Sequence, residues 1–113
     1  MAYDEETAAR FRTALTGQNG VSEKRMMGGV CFLLQGNMIG GADKPKGGQS
    51  RFMFRVGKTN QARAATMPLA EPMNKGGRPM SGFFFVDANN CDDKLLHQWI
   101  ILALDFVKEL PAK

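Results

Sequence analysis

The segment that most limits the possible folds is residues 92–110, which is long, apolar and periodic. Its apolar side chains recur at the spacing of an α-helix: Leu95, Trp99, Ala103, Phe106 and Leu110. A helix rises about 1.5 Å per residue, so this one is long enough to cover a whole β-sheet. Because such a stripe has to be buried, the rest of the chain is predicted to supply a sheet against which it packs.

Short strand-like segments occupy most of the chain before this helix. Residues 51–56 alternate most clearly between an apolar face and an opposite face: Phe52, Phe54 and Val56 against Arg51, Met53 and Arg55. This alternation is typical of a half-buried antiparallel strand. Periodicity and turn signals together predict helices at 4–15, 59–65 and 92–110 and strands at 24–27, 30–34, 38–42, 51–56, 69–73 and 80–86.

The order of these segments, α-β-β-β-β-α-β-β-α, predicts the fold class α+β. We expect two layers, with a mostly antiparallel sheet and the helices packed on one of its faces. Since 113 residues suffice for one hydrophobic core but not for two, residues 1–113 are interpreted as a single domain. Turns are predicted at 35–37 and 74–77, and the stretch 43–49 is predicted to be a mobile loop.

Residue counts exclude several functional classes. With two cysteines and one histidine, the chain cannot assemble a zinc site of ordinary spacing. No apolar run approaches the ~20 residues that span a bilayer, and the acidic start lacks the features of a signal peptide. We therefore predict a cytoplasmic protein with reduced thiols, and with no metal, cofactor, catalytic residue or membrane contact.

Five short motifs occur in order along the chain: Lys-Arg-Met-Met-Gly-Gly at 24–29, Gly-Asn-Met at 36–38, Arg-Val-Gly at 55–57, Gly-Arg-Pro-Met-Ser-Gly-Phe-Phe-Phe-Val at 77–86, and the closing Leu95, Trp99, Phe106 and Leu110. In this order they resemble the TfoX N-terminal domain family. The resemblance implies a two-layer α+β fold, a bacterial cytosolic setting and a non-enzymatic regulatory role linked to natural competence. Full-length members carry a second, helical domain, and this chain is expected to be the first domain alone.

Two local features could carry chemistry. Residues 57–59 (Gly-Lys-Thr) follow a predicted strand and open a predicted helix, where a phosphate-binding loop would end. Such a loop also needs a glycine five positions before Gly57, and Phe52 stands there, so we interpret 57–59 as a plain turn. Cys91 lies near the predicted start of the last helix, whose dipole can lower a thiol pKa. The sequence places no basic side chain beside Cys91, so an ordinary helix-start residue is the favoured interpretation.

The sheet face that the helices leave open is the predicted interaction surface. The residues predicted to form it are Lys24, Arg25, Arg51, Met53, Arg55 and Arg78. A protein partner or a second copy of the chain is predicted to bind there, with apolar contacts providing affinity and arginines providing register. The alternative is nucleic-acid binding by a basic face made of Lys24, Arg25, Arg51 and Arg55. The net charge of +4 is compatible with both hypotheses.

Overall fold

A computed structural model describes residues 4–26 and 28–113. The helices in this part of the chain are α1 (Glu5–Ala14), α2 (Gln61–Ala65) and α3 (Asp93–Val107), with a 3-10 turn at Lys58–Asn60 before α2. The strands are β1 (Val21–Met26), β2 (Gly29–Leu34), β3 (Asn37–Asp43), β4 (Arg51–Arg55), β5 (Glu71–Lys75) and β6 (Arg78–Asp87). The predicted element order and the α+β class are confirmed. Met27, which ends the predicted strand 24–27, lies outside the described residues.

The described strands form one antiparallel sheet in the order β1-β2-β3-β4-β6-β5. The order departs from the sequence at one place, where the long strand β6 lies between β4 and β5 and pairs with both. Pro72 lies in β5, an edge strand, where a residue without a backbone N–H is tolerated. None of the described helices is long and apolar enough to cross a membrane.

Two-residue turns join two of the strand pairs. Gln35 (φ 50°) and Gly36 (φ 85°) connect β2 to β3, and Gly76 and Gly77 connect β5 to β6, also with positive φ values. Two successive positive φ values are the geometry that matches the twist of a tight hairpin. The turn predicted at 74–77 is confined to residues 76 and 77, because positions 74 and 75 belong to β5 and pair with β6.

The core lies between one face of the sheet and the helices α1 and α3. Phe11 of α1 stacks on Phe32 with ring centroids 4.6 Å apart, and Trp99 of α3 stacks on Phe54 at 5.2 Å. Phe84 of β6 meets the same indole at 5.7 Å. All five of these side chains are fully buried, so the predicted packing of the C-terminal helix on the sheet is confirmed.

Polar contacts fix the helices on the sheet. Asp92 caps α3 by accepting a hydrogen bond of 2.8 Å from the backbone N–H of Leu95, so the helix begins at Asp93, one residue after the predicted start at 92, and it ends at Val107 rather than at 110. Arg10 of α1 donates to the carbonyl oxygens of Ala88, at 2.9 Å, and Cys91, at 2.5 Å, in the segment before α3. These bonds tie the first helix to the last one.

An ion pair joins α1 to the edge strand β1. Arg12 donates to both carboxylate oxygens of Glu23, with Nε–Oε2 at 2.5 Å and Nη2–Oε1 at 2.7 Å. The hydrogen bond from Arg12 lowers the pKa of the Glu23 carboxyl below its ordinary value. Both side chains are more than a third exposed, so the pair orients β1 and adds about 0.5 kcal/mol to stability.

Candidate functional site

In the part of the chain that the structure describes, the helices cover only one face of the sheet, and we call the opposite face the helix-free face. Directly opposed residues of neighbouring antiparallel strands share a face. Five successive pairings therefore align one side chain from each strand across the helix-free face. This central row is, from β1 to β5, Lys24, Cys31, Gly41, Met53, Phe85 and Glu71. It begins with an exposed cation and ends with an exposed carboxylate.

An apolar recess of about 340 Å³ lies along the middle of the central row. Its β2–β3 side is formed mostly by small residues, among them Gly29, Cys31, Gly41 and Ala42, with Met38 as a long apolar side chain. Its β4–β6–β5 side is formed by large ones: Met53, Met73, Met80, Phe83 and Phe85. The volume is at the lower end of the range for ligand and side-chain pockets, and its lining is suited to apolar groups. The recess thus has a low wall and a high wall.

Arg51 lies beside the recess and is already engaged. It donates to Asp43 of β3, with Nε–Oδ1 at 2.8 Å and Nη2–Oδ2 at 3.2 Å. Its guanidinium carbon is 3.6 Å from the ring centroid of Phe85, a close cation–π contact. Asp87 of β6 is its pairing partner on the other side, but the Asp87 carboxylate accepts hydrogen bonds from the backbone N–H of Asn89 and the side-chain amide of Asn90.

The structure does not bring the other predicted basic residues together with Arg51. Arg55 lies at the end of β4, with its guanidinium carbon 5.3 Å from the ring of Phe106 on α3. Lys24 and Arg25 are on β1, which β2 and β3 separate from β4, so the predicted basic face of Lys24, Arg25, Arg51 and Arg55 is not one continuous surface. Lys24 pairs with Cys31 and Arg25 with Val30, which places the two cations on opposite sides of their strand.

Arg78 is at the start of β6, beside the turn formed by Gly76 and Gly77. It is exposed at the far end of the edge hairpin, away from Arg51, which pairs with the last residue of β6. Of the six residues predicted for the interaction surface, strand pairing places Lys24, Arg51, Met53 and Arg55 on the helix-free face, and of these only Met53 lines the recess. The contributions of Phe83, Phe85 and Glu71 were not predicted, although the alternation of Phe83 and Phe85 about the buried Phe84 could have indicated them.

Residues 57–59 form a strand-to-helix turn, as interpreted from the sequence. Gly57 has a φ of 80° and a ψ of 162°, and the ring of Phe106 lies against it. The following Lys58 begins the 3-10 turn, which is too short to act as a phosphate-binding helix. Among the described residues, no group of three or more histidine, cysteine, aspartate or glutamate side chains is arranged to hold a metal ion.

Both thiols are buried and free of disulfides. Burial raises the pKa of Cys91 to about 11, and the nearby Arg10 opposes this shift only in part. A lowered pKa from the dipole of α3 is therefore not what the structure shows. Burial also raises the pKa of Cys31, although the ammonium of Lys24 works in the opposite direction.

We predict that Cys91 reacts with a thiol reagent slowly and without a plateau below pH 10. A thiol with a pKa of about 11 has only a small thiolate fraction near pH 8, so its rate should be about 100-fold below that of an ordinary cysteine. The rate should rise about tenfold per pH unit from pH 7 to 10. The measurement is labelling of a Cys31→Ser variant, folded and in denaturant. Rapid labelling of the folded chain at pH 7 would contradict the buried, protonated thiol.

Sequence comparison now adds to the geometry. The family model of the TfoX N-terminal domain matches residues 13–107, which span β1 to β6 and all of α2 and α3. The chain belongs to the TfoX N-terminal domain family. Comparisons with curated proteins and with solved structures return no significant match.

Proposed function

We propose that this TfoX N-terminal domain is a non-enzymatic regulatory domain that binds another protein chain, its own copy included, through the helix-free face. The observation that carries the proposal is the apolar recess of about 340 Å³ on the helix-free face. The family resemblance adds a bacterial cytoplasmic setting and a regulatory role related to competence.

The lining of the recess supports a protein partner. Met53, Met73 and Met80 are flexible, polarisable side chains that adapt to the shape of what they contact. Phe83 and Phe85 are only partly buried, although each could bury a large apolar area. Aromatic and methionine side chains are enriched at protein interfaces, whereas lysine and glutamate are depleted from their centres. The central row has this composition, with its charges at the two ends.

The nucleic-acid alternative has less support from the geometry. Binding to a phosphate backbone needs several cations on one surface. Arg51 is paired with Asp43, Arg55 packs on Phe106, and β1 lies three strands from β4. The alternative predicts tight binding of duplex DNA, with an affinity that falls steeply as salt is added. It also predicts that this salt dependence is weaker in an Arg51→Ala, Arg55→Ala double variant. Both results together would favour the alternative over our proposal.

Site-specific photocrosslinking tests the proposed function. A photoreactive phenylalanine analogue is introduced at Met53, in the recess, and in a matched variant at Ile101, which is 53% exposed on α3. Both variants are irradiated in cells of the source organism, and the adducts are sized and sequenced. We expect a protein adduct from position 53 and none from position 101. The absence of an adduct at 53, or equal adducts at both positions, would overturn the proposal.

A further inference from the structure

The central row is complementary to itself when its direction is reversed. It starts with the cation Lys24 on β1 and ends with the carboxylate Glu71 on β5. Between them the small residues Cys31 and Gly41 come first and the large residues Met53 and Phe85 follow. If a second copy of the row is laid over the first in the reverse direction, each charged residue therefore faces the opposite charge, and each small residue faces a large one.

We propose that the occupant of the helix-free face is a second copy of this chain, related by a twofold axis that runs parallel to the strands between β3 and β4. This inference rests on the proposed function and specifies its partner. The axis places Lys24 opposite Glu71 of the second copy and Cys31 opposite its Phe85. Gly41 then lies opposite Met53 of the second copy, so the high wall of each recess enters the low wall of the other.

The neighbouring row obeys the same symmetry. Two residues along each strand from the central row, Asp43 on β3 and Arg51 on β4 face the same side of the sheet. These strands flank the axis, so Asp43 of one copy meets Arg51 of the other, and each intramolecular pair joins its symmetry mate. Asp43 and Arg51 of the two copies then place four alternating charges around the axis, an arrangement that sets register as well as orientation. Asp87 of each copy lies in the same row outside these four, with its carboxylate bound to Asn89 and Asn90.

Charge also discriminates between the two face-to-face twofold arrangements that keep the strands aligned. Both keep the strands of the two sheets nearly aligned, as packed sheets prefer. An axis along the central row would put β1 over β1, with Lys24 against its own copy, and would put Glu71 against Glu71 in the same way. Like charges in opposition are unfavourable, whereas the axis parallel to the strands opposes unlike charges at both ends.

Lys24 and Glu71 cannot neutralise one another within one chain. They lie on opposite edges of a six-stranded sheet, five strand spacings apart. At about 4.8 Å per spacing, the separation is about 24 Å, far beyond the reach of an ion pair. A direct ion pair between these two exposed residues can therefore form only between copies.

A charge-exchange experiment uses this separation. The variants Lys24→Glu and Glu71→Lys are purified separately, and sedimentation velocity is measured for each alone, for their equimolar mixture and for the unaltered chain. We expect the unaltered chain to dimerise and each variant alone to dimerise about tenfold more weakly or not at all. The mixture should dimerise again, because each new charge faces an opposite charge on the other variant. Lys94→Glu, an equal charge change on α3, should leave dimerisation unchanged.

Each other outcome counts against the inference. A monomeric unaltered chain overturns it, and so do variants that dimerise normally alone or that fail to dimerise when mixed. Circular dichroism establishes whether each variant is folded. If Lys24→Glu or Glu71→Lys is unfolded, the pair Lys24→Asp and Glu71→Arg takes its place in the same experiment. Self-association can fail while photocrosslinking at position 53 still captures a different protein, in which case the proposed function stands with another partner. The absence of both results removes the proposed function as well.

Discussion

Replacing Trp99 by alanine is expected to lower the free energy of unfolding by about 4 kcal/mol, the largest effect of a single substitution that we predict. Trp99 is the largest of the fully buried side chains and has no solvent exposure. It stacks on Phe54 of β4 and meets Phe84 of β6, so its removal opens a cavity where α3 crosses the centre of the sheet. A loss of this size is a large share of the stability of an ordinary domain.

Urea unfolding followed by circular dichroism measures this loss, and two matched variants separate its causes. Ile101→Ala, on the exposed side of the same helix, should cost less than about 0.5 kcal/mol. Trp99→Phe keeps the ring contacts and removes an indole N–H that has no hydrogen-bond partner among the described residues. It should therefore cost much less than Trp99→Ala. Equal losses for Trp99→Ala and Ile101→Ala would contradict the packing described for α3.

The parts of the fold that follow from local patterns were predictable from the sequence. The helical period around Trp99 and the strict alternation of Phe52 and Phe54 each determine which side of an element is buried, and both were confirmed. The turn through Gln35 and Gly36 follows from the conformational preference of glycine. In each case the physical cause lies within a few residues of the chain.

The arrangement of the candidate site depends on pairings between distant segments, which no local pattern specifies. Asp43 was assigned to a loop, but it ends β3 opposite Arg51, and the ion pair exists only because of that register. Lys24 was expected near Arg51 because the order of strands in the sheet was unknown. Glu71 joins the central row only because β6 lies between β4 and β5. Alternation could place Met53 on the helix-free face, but not its neighbours across the sheet.

Replacing Gly57 by alanine is expected to lower the free energy of unfolding by about 3 kcal/mol, although only one methyl group is added. The backbone conformation of Gly57, with φ 80° and ψ 162°, is one that is essentially restricted to glycine. A Cβ atom there would lie 2.3 Å from Cδ1 of Phe106, so the ring and α3 would have to shift. Strain and overpacking each contribute about 1–3 kcal/mol.

The contact between Gly57 and the ring of Phe106 follows from the hydrogen bonds around Gly57. The backbone N–H groups of Val56 and Gly57 both donate to the carbonyl oxygen of Gly82, at 2.8 and 3.2 Å, so β4 and β6 meet there beneath the ring of Phe106.

Gly47→Ala is the matched control, since Gly47 has a φ of 74° but nothing within 4 Å of an added Cβ. It should show the conformational cost alone, about 1 kcal/mol. Phe106→Ala combined with Gly57→Ala should be less destabilising than the sum of the two single changes, because the first removes the ring that the second strikes. Strictly additive losses in urea unfolding would show that the ring of Phe106 is not what excludes a side chain at position 57.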